Sequence, residues 1–167
     1  MRPLPNRTTR PRPEPSNPAL HGVPVLTVAN RQRGVCIDLR RLREYLNHAL
    51  PLCLVAPGAD APVLLRELSE VSVTVVSPDV MSRVHHEFLQ IEGPTDVITF
   101  PYGEIVICAA VAHENAERYS TDVQDEVLLY AIHGLLHLHG YDDIVPESAR
   151  RMRTMQVNIL NAVRICA

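Results

Sequence analysis

The chain has 167 residues, 46% of them hydrophobic, and a formal net charge of -3. That length and balance suit one domain with a buried core and exclude a disordered or fibrous protein. No apolar run reaches membrane-spanning length, and four scattered cysteines (Cys36, Cys53, Cys108 and Cys166) without a CxxC pair exclude a disulfide framework.

Residues 1–23 hold six prolines among arginines and polar residues and read as a disordered leader, with a single domain over 24–167. All 16 basic residues are arginine. Residues 1–45 carry nine of them against Glu14, Asp38 and Glu44, for +6, and residues 46–167 carry seven against 16 acids, for -9. The basic front reads equally as an arm for RNA phosphate or as a solvated tail. It has no apolar segment of the secretory kind, so buried thiols in a reducing cytoplasm are expected.

Val25 to Asn30 (VLTVAN) is a short strand. Asp38 caps a helix with Leu39, Leu42, Tyr45, Leu46 and Leu50 at helical spacing, and Pro51 to Pro62 is a loop. Glu70 to Val76 (EVSVTVV) alternates and is β-branched, which predicts a second strand. Ser77 caps and Pro78 opens a helix carrying Met81, Val84, His85, Phe88 and Leu89. Asp96 to Tyr102 and Glu104 to Cys108 are the third and fourth strands, followed by a helix from Ala109 to Tyr119. Thr121 to Gln124 forms a capping box for a helix running to His139, apolar on most sides and so central and buried. Pro146 starts a last helix with Arg150, Arg151 and Arg153 exposed. The order predicts an α+β domain of about four strands in a mixed sheet and about five helices, with the histidine-bearing helix packed on the sheet.

That central helix ends in His133-Gly-Leu-Leu-His137-Leu-His-Gly140-Tyr-Asp-Asp143. Residues four apart share a helix face, so His133 and His137 can aim at one ion. Gly140 permits the left-handed turn that ends a helix, and Asp143 lies where a returning oxygen completes the site. Three protein ligands leave a position for water, the catalytic form of a zinc site. An HxxxH pair alone is common by chance in a chain with eight histidines; the glycine and the acid at fixed offsets make it specific. The competing reading keeps both histidines as core residues satisfied by carbonyls, with Asp142 or Asp143 as a cap. Peptidases of the zincin type use HExxH with the glutamate as base. The second position here is Gly134, so the general base is unidentified. His139, about 200° around the helix from His137, should point away from the ion. His85 and His86 precede the third strand and have two readings: lining the cleft, or, as lone histidines usually do, one packing and the other lying on the surface. Thr95 and Asp96 are expected to fix the turn into the third strand.

The segment HGLLHLHGYDD resembles the signature of the YbeY family of single-domain, metal-dependent endoribonucleases of ribosomal RNA maturation. Gly93-Pro-Thr-Asp-Val-Ile-Thr-Phe100 and Gly103-Glu-Ile-Val-Ile-Cys108 resemble that family's PTDVLSF and GDIVI strands, and the similarity spans about residues 25–165. It implies one Zn2+ on His133, His137 and, in place of the family's third histidine, Asp143. A carboxylate lowers the charge of the site by one, makes bound water less acidic and admits Fe(II) or Mn(II). Leu89 stands where the family commonly has a substrate-facing arginine. The resemblance implies cleavage of single-stranded RNA, with ribosomal RNA precursor and the small ribosomal subunit as partners, and neither a membrane nor a nucleotide cofactor. A non-catalytic, metal-stabilised ribosome-assembly factor and a metzincin-like peptidase are the alternatives.

Overall fold

The computed structural model describes residues 22–58 and 60–166, so all but the last two residues of the expected leader lie outside the described part. Strand β1 (Val25–Asn30) leads to α1 (Leu39–Leu54), a 3-10 turn at Leu64–Arg66, and β2 (Glu70–Val76). Then come α2 (Pro78–Leu89), β3 (Val97–Phe100), β4 (Glu104–Cys108), α3 (Ala109–Tyr119), α4 (Val123–Leu138) and α5 (Pro146–Cys166). This is the expected α+β domain. The four-stranded sheet has the order β1-β2-β4-β3 and is mixed: β1, β2 and β4 run parallel, and β3 pairs antiparallel with β4 as an edge strand.

Period-two alternation divides β2, β3 and β4 between two layers. Val71, Val73, Val75, Ile105 and Ile107 face the larger core with α1, α4 and α5. Val76, Ile98, Phe100, Val106 and Cys108 face a smaller one with Met81 of α2. Residues on both faces are therefore apolar, as a mostly parallel sheet covered on both sides requires.

Helix starts follow side-chain chemistry. Asp38 accepts a hydrogen bond from the Arg41 amide, and Ser77 from the Val80 amide with Pro78 in the first turn. Two expectations need correction. Helix α1 does not stop before Pro51 but continues to Leu54 with that proline inside it. An interior proline removes one backbone hydrogen bond and costs about 3 kcal/mol. Seating Ala49, Leu50 and Cys53, all buried, in the main core offsets this. The cap of α4 is Asp122, whose carboxylate accepts from the Gln124 amide. Thr121 instead donates to Glu126 at 2.6 Å, and the Gln124 side chain bridges both backbone groups of Asp38. The expected capping box is thus replaced by a clasp between the starts of α1 and α4. Cys53 and Cys108 are buried as expected, and burial pushes the Cys53 thiol up to about 12, but Cys36 is exposed.

Helix α4 carries Val127, Leu128, Ala131, Ile132, Leu135 and Leu136, all buried, which is why it has no polar face. Gly134 is the point of closest approach to the sheet. A Cβ there would lie 2.8 Å from Ile105 Cγ2 and 2.8 Å from Thr99 Oγ1. The absence of a glutamate after His133 therefore has a steric cause: position 134 faces β3 and β4, not open space. Gly134→Ala should lower stability by about 1–3 kcal/mol through overpacking, read as a lower denaturant midpoint. An unchanged midpoint would mean that α4 does not bear on the sheet there.

Candidate metal centre

The end of α4 is closed by backbone geometry that places the returning chain. Gly140 has φ +94°, and its amide donates to His137 O while the Tyr141 amide donates to Leu136 O. This pair of bonds is the Schellman arrangement, which needs a left-handed residue. A Cβ at Gly140 would sit 2.4 Å from Ala61 O, so glycine is required by contact as well as by φ. Asp142 then caps the bend, its Oδ1 accepting from the amides of Asp143 at 2.7 Å and Ile144 at 3.1 Å. Of the two adjacent acids, one shapes the backbone and the other is left to face the histidines.

His133, His137 and Asp143 come together as the sequence predicts. Their ligand atoms lie within 4.8 Å of one another, a grouping that can hold a metal ion. Asp143 Oδ2 is 3.6 Å from His133 Nε2 and Oδ1 is 3.9 Å from His137 Nε2. The side chains are 22% exposed for His133, 30% for His137 and 47% for Asp143, so the group is reachable from solvent on the aspartate side.

The tautomers follow from what the far nitrogens touch. His137 Nδ1 donates to Tyr141 O at 3.1 Å. His133 Nδ1 donates to Gln156 Oε1 at 3.2 Å, and the Gln156 amide nitrogen donates in turn to Leu129 O. Both ring protons are therefore held on Nδ1, and two bare Nε2 lone pairs face each other 3.0 Å apart. Two lone pairs and a carboxylate converging on one point repel unless a cation lies between them. Two Zn–N bonds of about 2.0–2.1 Å at a tetrahedral angle span roughly 3.3 Å, so the donor set fits a single ion without large movement. Burial, and then the neighbouring His137, hold the His133 ring below the ordinary histidine pKa, which favours the neutral form that a metal ligand must have.

Residues outside the trio fall largely where expected. His139 is buried, with Nε2 2.9 Å from Ala56 O, and its pKa is lowered by burial; it ties down the loop and is not a ligand. His85 packs with Nδ1 2.8 Å from Gly93 O, and His86 lies on the surface beside Glu92. Asp96 fixes the entry to β3 by accepting from the Val97 amide and the Thr95 hydroxyl. It also borders the cavities on both sides of His133, a role its turn chemistry concealed. Gln156 was not foreseen; nothing local links it to a histidine 23 positions earlier. Leu89 lines the cavity of about 550 Å³ together with His133, His137 and Asp143, so the position does face the site, with an apolar side chain.

The architecture and the converging donors define the class: a single-domain α+β protein with a His-His-carboxylate centre where a buried helix turns back. A family model described as Endoribonuclease YbeY matches residues 27–164, and the chain belongs to the YbeY family. An Endoribonuclease YbeY of Thermobifida fusca is 34% identical over 152 residues, covering 81% of this chain and 91% of that protein. One of Chlorobium luteolum is 42% identical over 94 residues, 52% of this chain and 69% of that one. The solution structure of TM1509 from Thermotoga maritima superposes with a TM-score of 0.54 at 27% identity, covering 83% of this chain and 89% of that one.

The lowered His133 pKa has a pH consequence with a definite sign. A ring that resists protonation in the folded state stabilises the fold above the unfolded value of about 6.5, and that contribution is lost as pH falls through the folded value. Metal-free protein should lose stability as pH falls below the free-histidine value of about 6.5, with the His133 imidazole NMR signal titrating below that value. A midpoint above that value would show that the ring is not held neutral.

Proposed function

We propose that this chain is a single-strand-specific, metal-dependent endoribonuclease acting in ribosomal RNA maturation and ribosome quality control. The metal would be Zn2+ on His133, His137 and Asp143. The observation that carries the reading is the pair of Nε2 lone pairs 3.0 Å apart beside a carboxylate, at the border of an open cavity. The name shared by the matched relatives supports RNA as the substrate. Ribosomal RNA precursor and the small subunit are the natural partners of such an enzyme, and the cytoplasm its compartment. No helix among the described residues is long and apolar enough to cross a membrane.

Bound Zn2+ would supply Lewis acidity toward a phosphodiester oxygen and lower the pKa of its water. The chain's own residues do the rest. Gln156 and the Tyr141 carbonyl hold the imidazole protons on Nδ1, so the Nε2 atoms remain donors to the ion. Asp143 offsets one unit of the ion's charge. Asp96 Oδ1 is occupied by two donors, which leaves the other carboxylate oxygen free to accept a proton at the cavity wall. Substrate RNA also carries a nucleophile of its own in the 2′-hydroxyl. The peptidase alternative is disfavoured by Gly134, since a glutamate at that position would be driven into Ile105 and Thr99.

Purified protein should contain about one Zn2+ per chain and cut single-stranded oligoribonucleotides. Chelation or His133→Ala should reduce cutting about a hundredfold or more, since ligands of one working ion act as a unit. Asp143→Ala should lower metal content and cutting together. Cleavage that survives both chelation and loss of the two histidines would overturn the proposal.

A further inference from the structure

Two cavities flank the metal centre, one of about 550 Å³ and one of about 410 Å³. Asp96, His133 and Asp143 line both, so they form two halves of one groove across the centre. The halves differ in chemistry. The first is walled by Leu64, Leu89, Val97, Ile98, Pro101 and Leu138 and presents no cation. The second is walled by one face of α5, where Ala149, Met152, Arg153 and Gln156 recur at spacings of three and four. That face is anchored to the centre, because Gln156 accepts from His133. Arg153 stands three residues before it, about 4.5 Å along the helix axis.

Arg153 is exposed and makes no ion pair or side-chain hydrogen bond among the described residues, unlike two other arginines of the same helix. Arg151 pairs with Asp60 and Ser148, and Arg164 with Asp125. Asp96 and Asp143 make the groove floor repulsive to an anion that does not touch the metal. A second phosphate in the groove therefore needs a cation, and a guanidinium suits it because its fork of donors matches phosphate oxygens.

We propose that Arg153 binds the RNA phosphate adjacent to the one at the metal centre. The sugar-phosphate backbone then follows the α5 half of the groove, and the bases lie toward the apolar half bordered by Leu89 and β3. The inference rests on the endoribonuclease reading and gives the RNA backbone a path across that site. It also explains a single-strand requirement, because bases can turn into the apolar half only when unpaired.

The test compares steady-state cleavage and equilibrium binding of a single-stranded oligoribonucleotide by the zinc-loaded wild type, Arg153→Ala, Arg153→Lys and Arg150→Ala. Arg150 is on the same helix but lines a different cavity, so it controls for net charge. Arg153→Ala should raise KM about tenfold, the scale of one charged hydrogen-bonding contact, with kcat, zinc content and melting temperature near wild type. The salt dependence of binding should lose about 0.7 from its logarithmic slope, the amount for one single-strand phosphate. Arg153→Lys should recover part of the loss, and Arg150→Ala should match wild type. An Arg153→Ala variant with wild-type KM and salt slope overturns this placement alone, as does an equal loss in Arg150→Ala. A wild type that neither binds nor cuts RNA overturns the endoribonuclease reading and this inference with it.

Discussion

The structure depends on the confrontation of two imidazole lone pairs at the end of α4. It arises because the Tyr141 carbonyl and the Gln156 amide oxygen each take an Nδ1 proton. Without those two acceptors, one ring could donate to the other and the pair would be an ordinary histidine hydrogen bond. With them, the space between the rings is electron-rich on three sides, a grouping that can hold a metal ion. Both acceptors are contributed by chain beyond α4, one by the turn and one by α5. The helix supplies the donors, and the rest of the fold decides which atoms of them are free.

A site of this kind needs its first ligands on a rigid support. Helix α4 provides one because it is buried on nearly every side and because Gly134 lets its backbone settle onto β3 and β4. The same contact shapes the chemistry. Close packing at the position after the first histidine removes any side chain that could serve there as a general base. The carboxylates that border the cavity there are Asp96 and Asp143. One missing Cβ thus sets both the seating of α4 on the sheet and the absence of an acid beside the first histidine.

The fold was legible in the sequence wherever local chemistry determined it. Strands at 25–30, 70–76 and 104–108, and a helix at 109–119, follow from β-branched alternation and from caps and prolines that act over a few residues. The centre was legible for the same reason: His133, His137, Gly140 and Asp143 are linked by helix and turn geometry within eleven positions. What escaped depends on distant contacts. Pro51 stays inside α1 because its neighbours are seated in the core. Gln124 leaves the cap of its own helix to hold Asp38, 86 positions away. Gln156 and Arg153 enter the groove only because α5 packs back along α4. Asp96 was visible as a turn former, and that role hid its place in the cavity.

The turn after α4 is fastened to the connection that follows α1. Gly140 O accepts from the amides of Asp60 and Ala61, the Tyr141 hydroxyl donates to Pro57 O, and Arg151 pairs with Asp60. The three donors thus sit on different supports. The two rings ride a helix buried on nearly every side, while the carboxylate follows a turn held to the loop after α1 by hydrogen bonds from Asp60 and Ala61 and to Pro57. A change in that loop would reach the site through the aspartate and leave the histidine pair where α4 holds it.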